Sequence, residues 1–280
     1  MRYDPIFVMG AGRAGLSLAR AFRASGVEVA GVHGRRDPGG PDAVSVGALP
    51  PSLERARVVL VAVRDAQLDD ALRELMAAEL APGTVVLHAS GSAEPEMLAT
   101  VREAGHPAGT FHPLVPLADP ARAVEALAGA YVGIDGDEQA RAVARALAER
   151  LGAQVVEIPA GGKARYHAAA VIASNFPVVL LRTAERVLSE AGVDGESAAG
   201  AARSLLRQAV RNIESGDAAR ALTGPIVRGD AVTVRKHVLA LASDPEALAV
   251  YRALSLAALE LAGESGTPAE RLAEVRAALG

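Results

Sequence analysis

"PIFVMGAGRAGLSLARAFRASGVEVAGVHGRRD", residues 5–37, decides the fold. An apolar strand pattern (5–10) runs into Gly10-Ala11-Gly12-Arg13-Ala14-Gly15, a helical pattern follows, and a second strand pattern (27–33) closes the unit. A G-x-G-x-x-G turn between strand and helix is what a dinucleotide-binding βαβ unit requires. Gly10 permits the tight turn, Gly12 lets the backbone approach a pyrophosphate, and Gly15 lets the helix pack against the strand. The helix start adds free N–H groups and a positive dipole end. An NAD-binding unit carries an acid after its second strand, which accepts the ribose 2′-hydroxyl; here stand His33, Gly34, Arg35 and Arg36. Planar guanidinium forks suit a 2′-phosphate, so the expected cofactor is NADP(H). A solvated, arginine-rich turn is the plainer alternative. Arg13 either touches phosphate or is solvated, and Asp37, just before Pro38, reads as turn chemistry.

Outward from this stretch, strand patterns recur at 57–63, 84–90, 108–112, 130–135 and 153–158, most of them separated by helical patterns. Alternation at this spacing predicts an α/β fold, a Rossmann-type doubly wound, mainly parallel sheet with helices on both faces. From about Lys163 the chain reads as helices broken near "AGVDGE", "LTGPIVRGD", "SDPEA" and "ESGTPAE". Asp194, Asp230, Ser243 and Thr267 fit N-caps or pre-helix positions, and Pro245 and Pro268 lie at or near first turns. The expected organisation is a dinucleotide-binding domain over 1–160 and an all-helical domain over 161–280.

Composition narrows the function classes. The chain has 280 residues, 50% hydrophobic, with a formal net charge of -4 and no cysteine, which excludes disulfides, thiolate metal sites and a cysteine nucleophile. Mild acidity and 3% aromatics argue against nucleic acid as a partner. No apolar run is read as reaching the roughly 20 residues of a spanning helix, and the N-terminus lacks the order of a signal peptide, so the expectation is a cytoplasmic protein without a membrane partner.

Further along stand "VAVRDAQLDDAL", "LHASGSAEPEML", "FHPLVPLADP", "KARYHAAAVIASNF" and "LTGPIVRGDAVTVRKHVLAL". In this order and spacing they resemble the family of NADP oxidoreductases catalogued as domain of unknown function 2520 joined to a Rossmann-like N-terminal domain. The chain is also similar to the wider clan of ketopantoate reductase, pyrroline-5-carboxylate reductase and the β-hydroxyacid dehydrogenases, with a 6-phosphogluconate-dehydrogenase-like helical C-terminal domain. The resemblance implies hydride transfer, Val63 and Arg64 beside the cofactor, a small, anionic substrate held between the domains, and a homodimer formed through the helical domain. One departure stands out. The hydroxyacid and ketopantoate enzymes place an asparagine one turn after the lysine of their first helical-domain helix; here His167 follows Lys163.

Reduction of a ketone or imine needs a group that stabilises or protonates the developing anion or amine and an anchor for the substrate. Lys163 and His167, at i and i+4, are the expected acid and polarising group, with Ser90, His112 and Asn175 orienting; the bland alternative is a surface lysine and a bonded histidine. His88 and Gly91, with Ser90, end one strand where a nicotinamide should lie, and His112 ends the next. Ser174 and Asn175 either contact ligand or repair a helix kink at Pro177. Arg228 could meet a substrate carboxylate, face a second subunit, or belong to an interhelix turn. His88, His112 and His167 lack acidic or thiol partners at metal-ligand spacing, and no metal is expected. A non-catalytic NADP-binding regulator, its helical domain docking a partner, stays open as the alternative function, and a nucleotide enzyme such as a methyltransferase is a third.

Overall fold

The computed structural model describes residues 3–216 and 221–280, in two compact units that meet in sequence at Asn175/Phe176. The first holds seven strands: β1 (Ile6–Met9), β2 (Val29–His33), β3 (Val58–Val61), β4 (Val85–His88), β5 (Ala108–Pro113), β6 (Tyr131–Gly136) and β7 (Gln154–Glu157). Each falls within a residue or two of a strand expected from the sequence. They form one sheet in the order β2-β1-β3-β4-β5-β6-β7, parallel except where β6 runs antiparallel to β5. The order reverses between β1 and β3, and at such a point the strand ends leave a crevice for a ligand.

The helices of this unit are α1 (Arg13–Ala24), α2 (Leu68–Met76), α3 (Ala99–Glu103), α4 (Ala123–Leu127), α5 (Glu138–Arg150) and α6 (Lys163–Ser174). Period-two alternation explains the two cores. Ile6, Val8, Leu60 and Leu87 face α1, α4 and α5, with the Phe22 and Phe111 rings 5.9 Å apart and tilted by 45°, while Phe7, Met9, Val59, Val61 and Val86 face α2 and α3. Both faces are covered, which is why the strands read as continuous apolar runs. Gly152, at φ 69°, ends α5 in the left-handed position foreseen for it.

The second unit contains α7 (Phe176–Glu190), α8 (Gly195–Glu214), α9 (Ala231–Ala240), α10 (Pro245–Glu264) and α11 (Ala269–Leu279). Val234, Leu259, Val275 and Leu279 are central to its core. Asp194 and Asp230 cap α8 and α9 as expected. Ser243 and Thr267 are pre-helix residues: Asp244 caps α10, accepting from the Ala247 amide at 3.1 Å, and Pro268 directly precedes α11. The Thr267 hydroxyl instead donates to the Val227 carbonyl.

The two compact units divide at 175/176, whereas the sequence reading sets the domain boundary at 160/161, and side chains of α6 are built into the polar end of the sheet, as described below. One expectation needs correction. The stretch Lys163–Glu190 is long and apolar enough, by length and composition alone, to cross a membrane. His167, Ser174 and Asn175 interrupt the apolar run and concealed its overall hydropathy. The helical run breaks at Asn175, between the end of α6 at Ser174 and the start of α7 at Phe176, and Pro177 lies in the first turn of α7. The Ser174 hydroxyl bonds back to the Ala170 carbonyl at 2.7 Å, so it does not serve the Ala173 carbonyl.

Candidate active site

A groove of about 1040 Å³ runs along the carboxyl ends of the strands in the first unit. Gly10, Ala11, Gly12, Arg13 and Ala14 line its middle, His33, Gly34, Arg35 and Arg36 one end, and Ala89, His112 and Pro113 another part; Val63 and Arg64 also face it. Glycine is required locally for steric reasons. Gly10 has φ 129°, and a methyl group there would overlap the carbonyl of Ala62, just after β3. A methyl group on Gly15 would overlap the Gly10 carbonyl, so this glycine sets how closely α1 packs. Gly12 has nothing within 4 Å of where a Cβ would stand: the fold does not need this glycine, whereas an approaching pyrophosphate would. Glycine loop, helix start and groove together fit a dinucleotide.

At the β2 end, the Asp37 carboxylate accepts from the Gly39 amide at 2.8 Å, the turn role expected of it. Arg35 and Arg36 are exposed, and Arg35 lies 3.6 Å from Asp70 of α2. His33 is buried, its Nδ1 3.0 Å from the Ser45 hydroxyl.

A polar cluster lies at the ends of β4 and β5. Lys163, the first residue of α6, is fully buried. Its Nζ donates to the Ser90 carbonyl at 3.0 Å and to Thr110 Oγ1 at 2.8 Å, and forms an ion pair with Asp135 Oδ2 at 3.4 Å. Burial pushes the Lys163 pKa down, and the Asp135 charge works against that shift. Thr110 Oγ1 also lies 3.2 Å from His88 Nε2, while the Ser90 amide donates to His88 Nδ1 at 3.2 Å, so the neutral His88 ring carries its proton on Nε2. Burial first, and then the Lys163 charge, lower the His88 pKa to about 3. The Ser90 hydroxyl accepts from the Ser92 and Ala93 amides and so holds the loop after β4.

His112 and His167 stand differently. Tyr166 Oη is 2.8 Å from His112 Nδ1 and donates to the His112 carbonyl at 3.4 Å, and burial raises the phenol's pKa well above its usual value. Burial, then His167 and Lys163, lower the His112 pKa to about 4. A Cβ on Gly91 would overlap His167 Nδ1 and lie 2.8 Å from His112 Nε2, so glycine lets both rings close over this loop. The rings lie 5.8 Å apart, edge to face, and His167 Nδ1, buried, has no hydrogen-bond partner among the described residues. Asp65, after β3, accepts from the Ser92 hydroxyl. Burial acts to raise its pKa, but this bond and the neighbouring histidines hold it below the usual carboxylate value.

The structure thus gathers Ser90, Gly91, His88, His112, Lys163 and His167 in one cluster. The Lys163 ammonium is enclosed and bonded. His88 is also enclosed, and of the β4 end only Ala89 lines the groove. Ser174 and Asn175 lie beyond the cluster at the end of α6, bonded locally. Arg228 belongs to the second unit, beside Asp230, whose carboxyl it helps hold below the usual value after the bonds from Thr233. Sequence reasoning missed Thr110, Asp135 and Tyr166. Tyr166 sits three residues after Lys163 in "KARYH", on the same helical face, and Thr110 is two before His112 on one strand; those spacings could have found them.

The comparisons fit this architecture. Residues 5–113 match a Rossmann-like domain, and residues 130–258 match the domain of unknown function 2520. A "putative NADP oxidoreductase" from Bacteroides fragilis is similar in fold (TM-score 0.73, 21% identity, covering 92% of this chain and 99% of that one). So is a protein from Thermotoga maritima (TM-score 0.71, 23% identity, 94% and 100%). The pyrroline carboxylate reductase of Plasmodium falciparum, solved with NADP bound, aligns at 11% identity over 98% of this chain and 99% of that one, with a TM-score of 0.63. No curated protein matches by sequence. Likenesses at these identities show the fold alone.

Proposed function

We propose that the protein is an NADPH-dependent oxidoreductase that reduces a small, carboxylate-bearing ketone or imine, of the ketopantoate or pyrroline-5-carboxylate type. One observation carries the reading: a groove at the strand ends with an open glycine cradle in its middle, two arginines at the β2 end and His112 also on its wall. Gly10, Gly12 and the start of α1 would hold the pyrophosphate, and Arg35 and Arg36 the 2′-phosphate. The bound nicotinamide supplies hydride. His112, on the groove wall, is the residue placed to hydrogen-bond the substrate oxygen or nitrogen as negative charge develops. His167 Nδ1, unpartnered among the described residues, stands beside it. Lys163, Thr110, Asp135 and His88 are positioning residues beneath this pair. The substrate's chemical type is taken from the enzymes of like fold.

The second unit supports a homodimer. Val178 and Val179 of α7, Leu205 of α8 and Leu239 of α9 are each 55% exposed or more, an apolar surface that a second copy would cover. Sedimentation velocity checks this: the dimer should sediment as such, and Leu205→Glu should shift it toward monomer.

Purified protein mixed with NADPH and a panel of 2-keto and cyclic imino acids tests the activity. Oxidation of NADPH with at least one member, strongly reduced in His112→Ala, is the expected result. NADPH binding with no turnover across the panel would favour a cofactor-binding regulator.

A further inference from the structure

The second strand ends without the carboxylate that commonly grips an adenosine ribose, yet one arrives in space from α2. Gln67, Ala71 and Glu74 stand at i, i+4 and i+7 and all line the groove. Glu74 Oε1 lies 3.9 Å from Nε2 of His33, the last residue of β2. The Ser45 hydroxyl gives its single proton to the Val32 carbonyl at 3.2 Å, so it accepts from His33 Nδ1–H. His33 Nε2 and the Glu74 carboxylate thus face one space, too far apart to bond each other. A ribose hydroxyl is a donor that the carboxylate would take there. The adjoining Asp70 carboxylate pairs with both Arg35 and Arg73, so one of the two arginines expected to read a 2′-phosphate is already engaged.

We propose that Glu74 is the ribose-binding, specificity-determining carboxylate of this groove, supplied by α2 instead of β2, and that Asp70 restrains Arg35. Glu74 accepts from a ribose hydroxyl, which favours NADH, and its charge opposes the 2′-phosphate of NADPH. The preference set by Arg35 and Arg36 is therefore held below what two free guanidiniums would give. This inference rests on the dinucleotide reading of the groove.

Calorimetric titration of the wild-type chain, Glu74→Gln and Asp70→Asn with NADPH and with NADH, at one ionic strength, tests it. Both side chains are about half exposed, so the variants should fold, which circular dichroism checks. Glu74→Gln should raise the NADPH-over-NADH preference about fivefold, weakening NADH and tightening NADPH. Asp70→Asn should tighten NADPH about twofold and leave NADH unchanged. Wild-type binding together with an unchanged preference in Glu74→Gln would overturn this inference and leave the groove reading standing. Failure of the wild type to bind either dinucleotide would overturn both.

Discussion

At the scale of single residues, Lys163 shows how a buried charge is held. Its ammonium has two hydrogen bonds and an ion pair inside the protein, and removing one partner of a buried pair leaves the other charge uncompensated. Lys163→Met should lower stability by about 3–5 kcal/mol, and combining it with Asp135→Leu should recover part of the loss; denaturant midpoints of the two single variants and the double variant check this. His88 makes a pH prediction. Its folded pKa, about 3, lies below the usual histidine value, so between the two the unfolded chain binds more protons. The stability it contributes is present above about pH 6.5 and is lost as pH falls toward the folded value; His112, at about 4, acts in the same direction. Unfolding midpoints between pH 7 and 5 should fall less steeply in His88→Gln than in the wild type. The residue types of this cluster were legible in the sequence, but their burial was not. "HASG" and "KARYH" announce polar groups at element ends, and only the packing of α6 on the sheet decides which of them are enclosed.

At the scale of elements, the βαβ unit was legible almost completely. Apolar alternation, the three glycines and the spacing to the second strand act within a few residues of one another, so local sequence carries the information. The three glycines also separate fold from function. Gly12→Ala should leave the melting temperature nearly unchanged, since a methyl group there meets nothing, while weakening NADPH binding at least tenfold, about 1.4 kcal/mol. Gly10→Ala should lower the melting temperature itself, because φ 129° and the Ala62 carbonyl leave no room. Scanning calorimetry with NADPH titration distinguishes the two outcomes. The start of α7 was not legible: a proline inside an apolar helical run reads as a kink, and whether the chain restarts the helix there depends on packing outside the local pattern.

At the scale of the whole molecule, composition and periodicity correctly announced a sheet-containing part followed by a helical one. They put the change at the chain's texture boundary, whereas the compact unit extends to Asn175, because Lys163, Tyr166 and His167 contribute to the polar end of the sheet. Contacts spanning more than fifty residues, such as that from Lys163 to Thr110, leave no periodic signature. The function expected of the assembled groove returns to the two arginines that end the opening stretch. Arg35→Ala combined with Arg36→Ala, titrated calorimetrically beside the wild type, tests that claim most directly. The account predicts that the wild type binds NADPH and that the double variant loses at least tenfold in NADPH affinity while NADH changes by less than about twofold. Equal weakening of both dinucleotides, or no binding by the wild type, would contradict it.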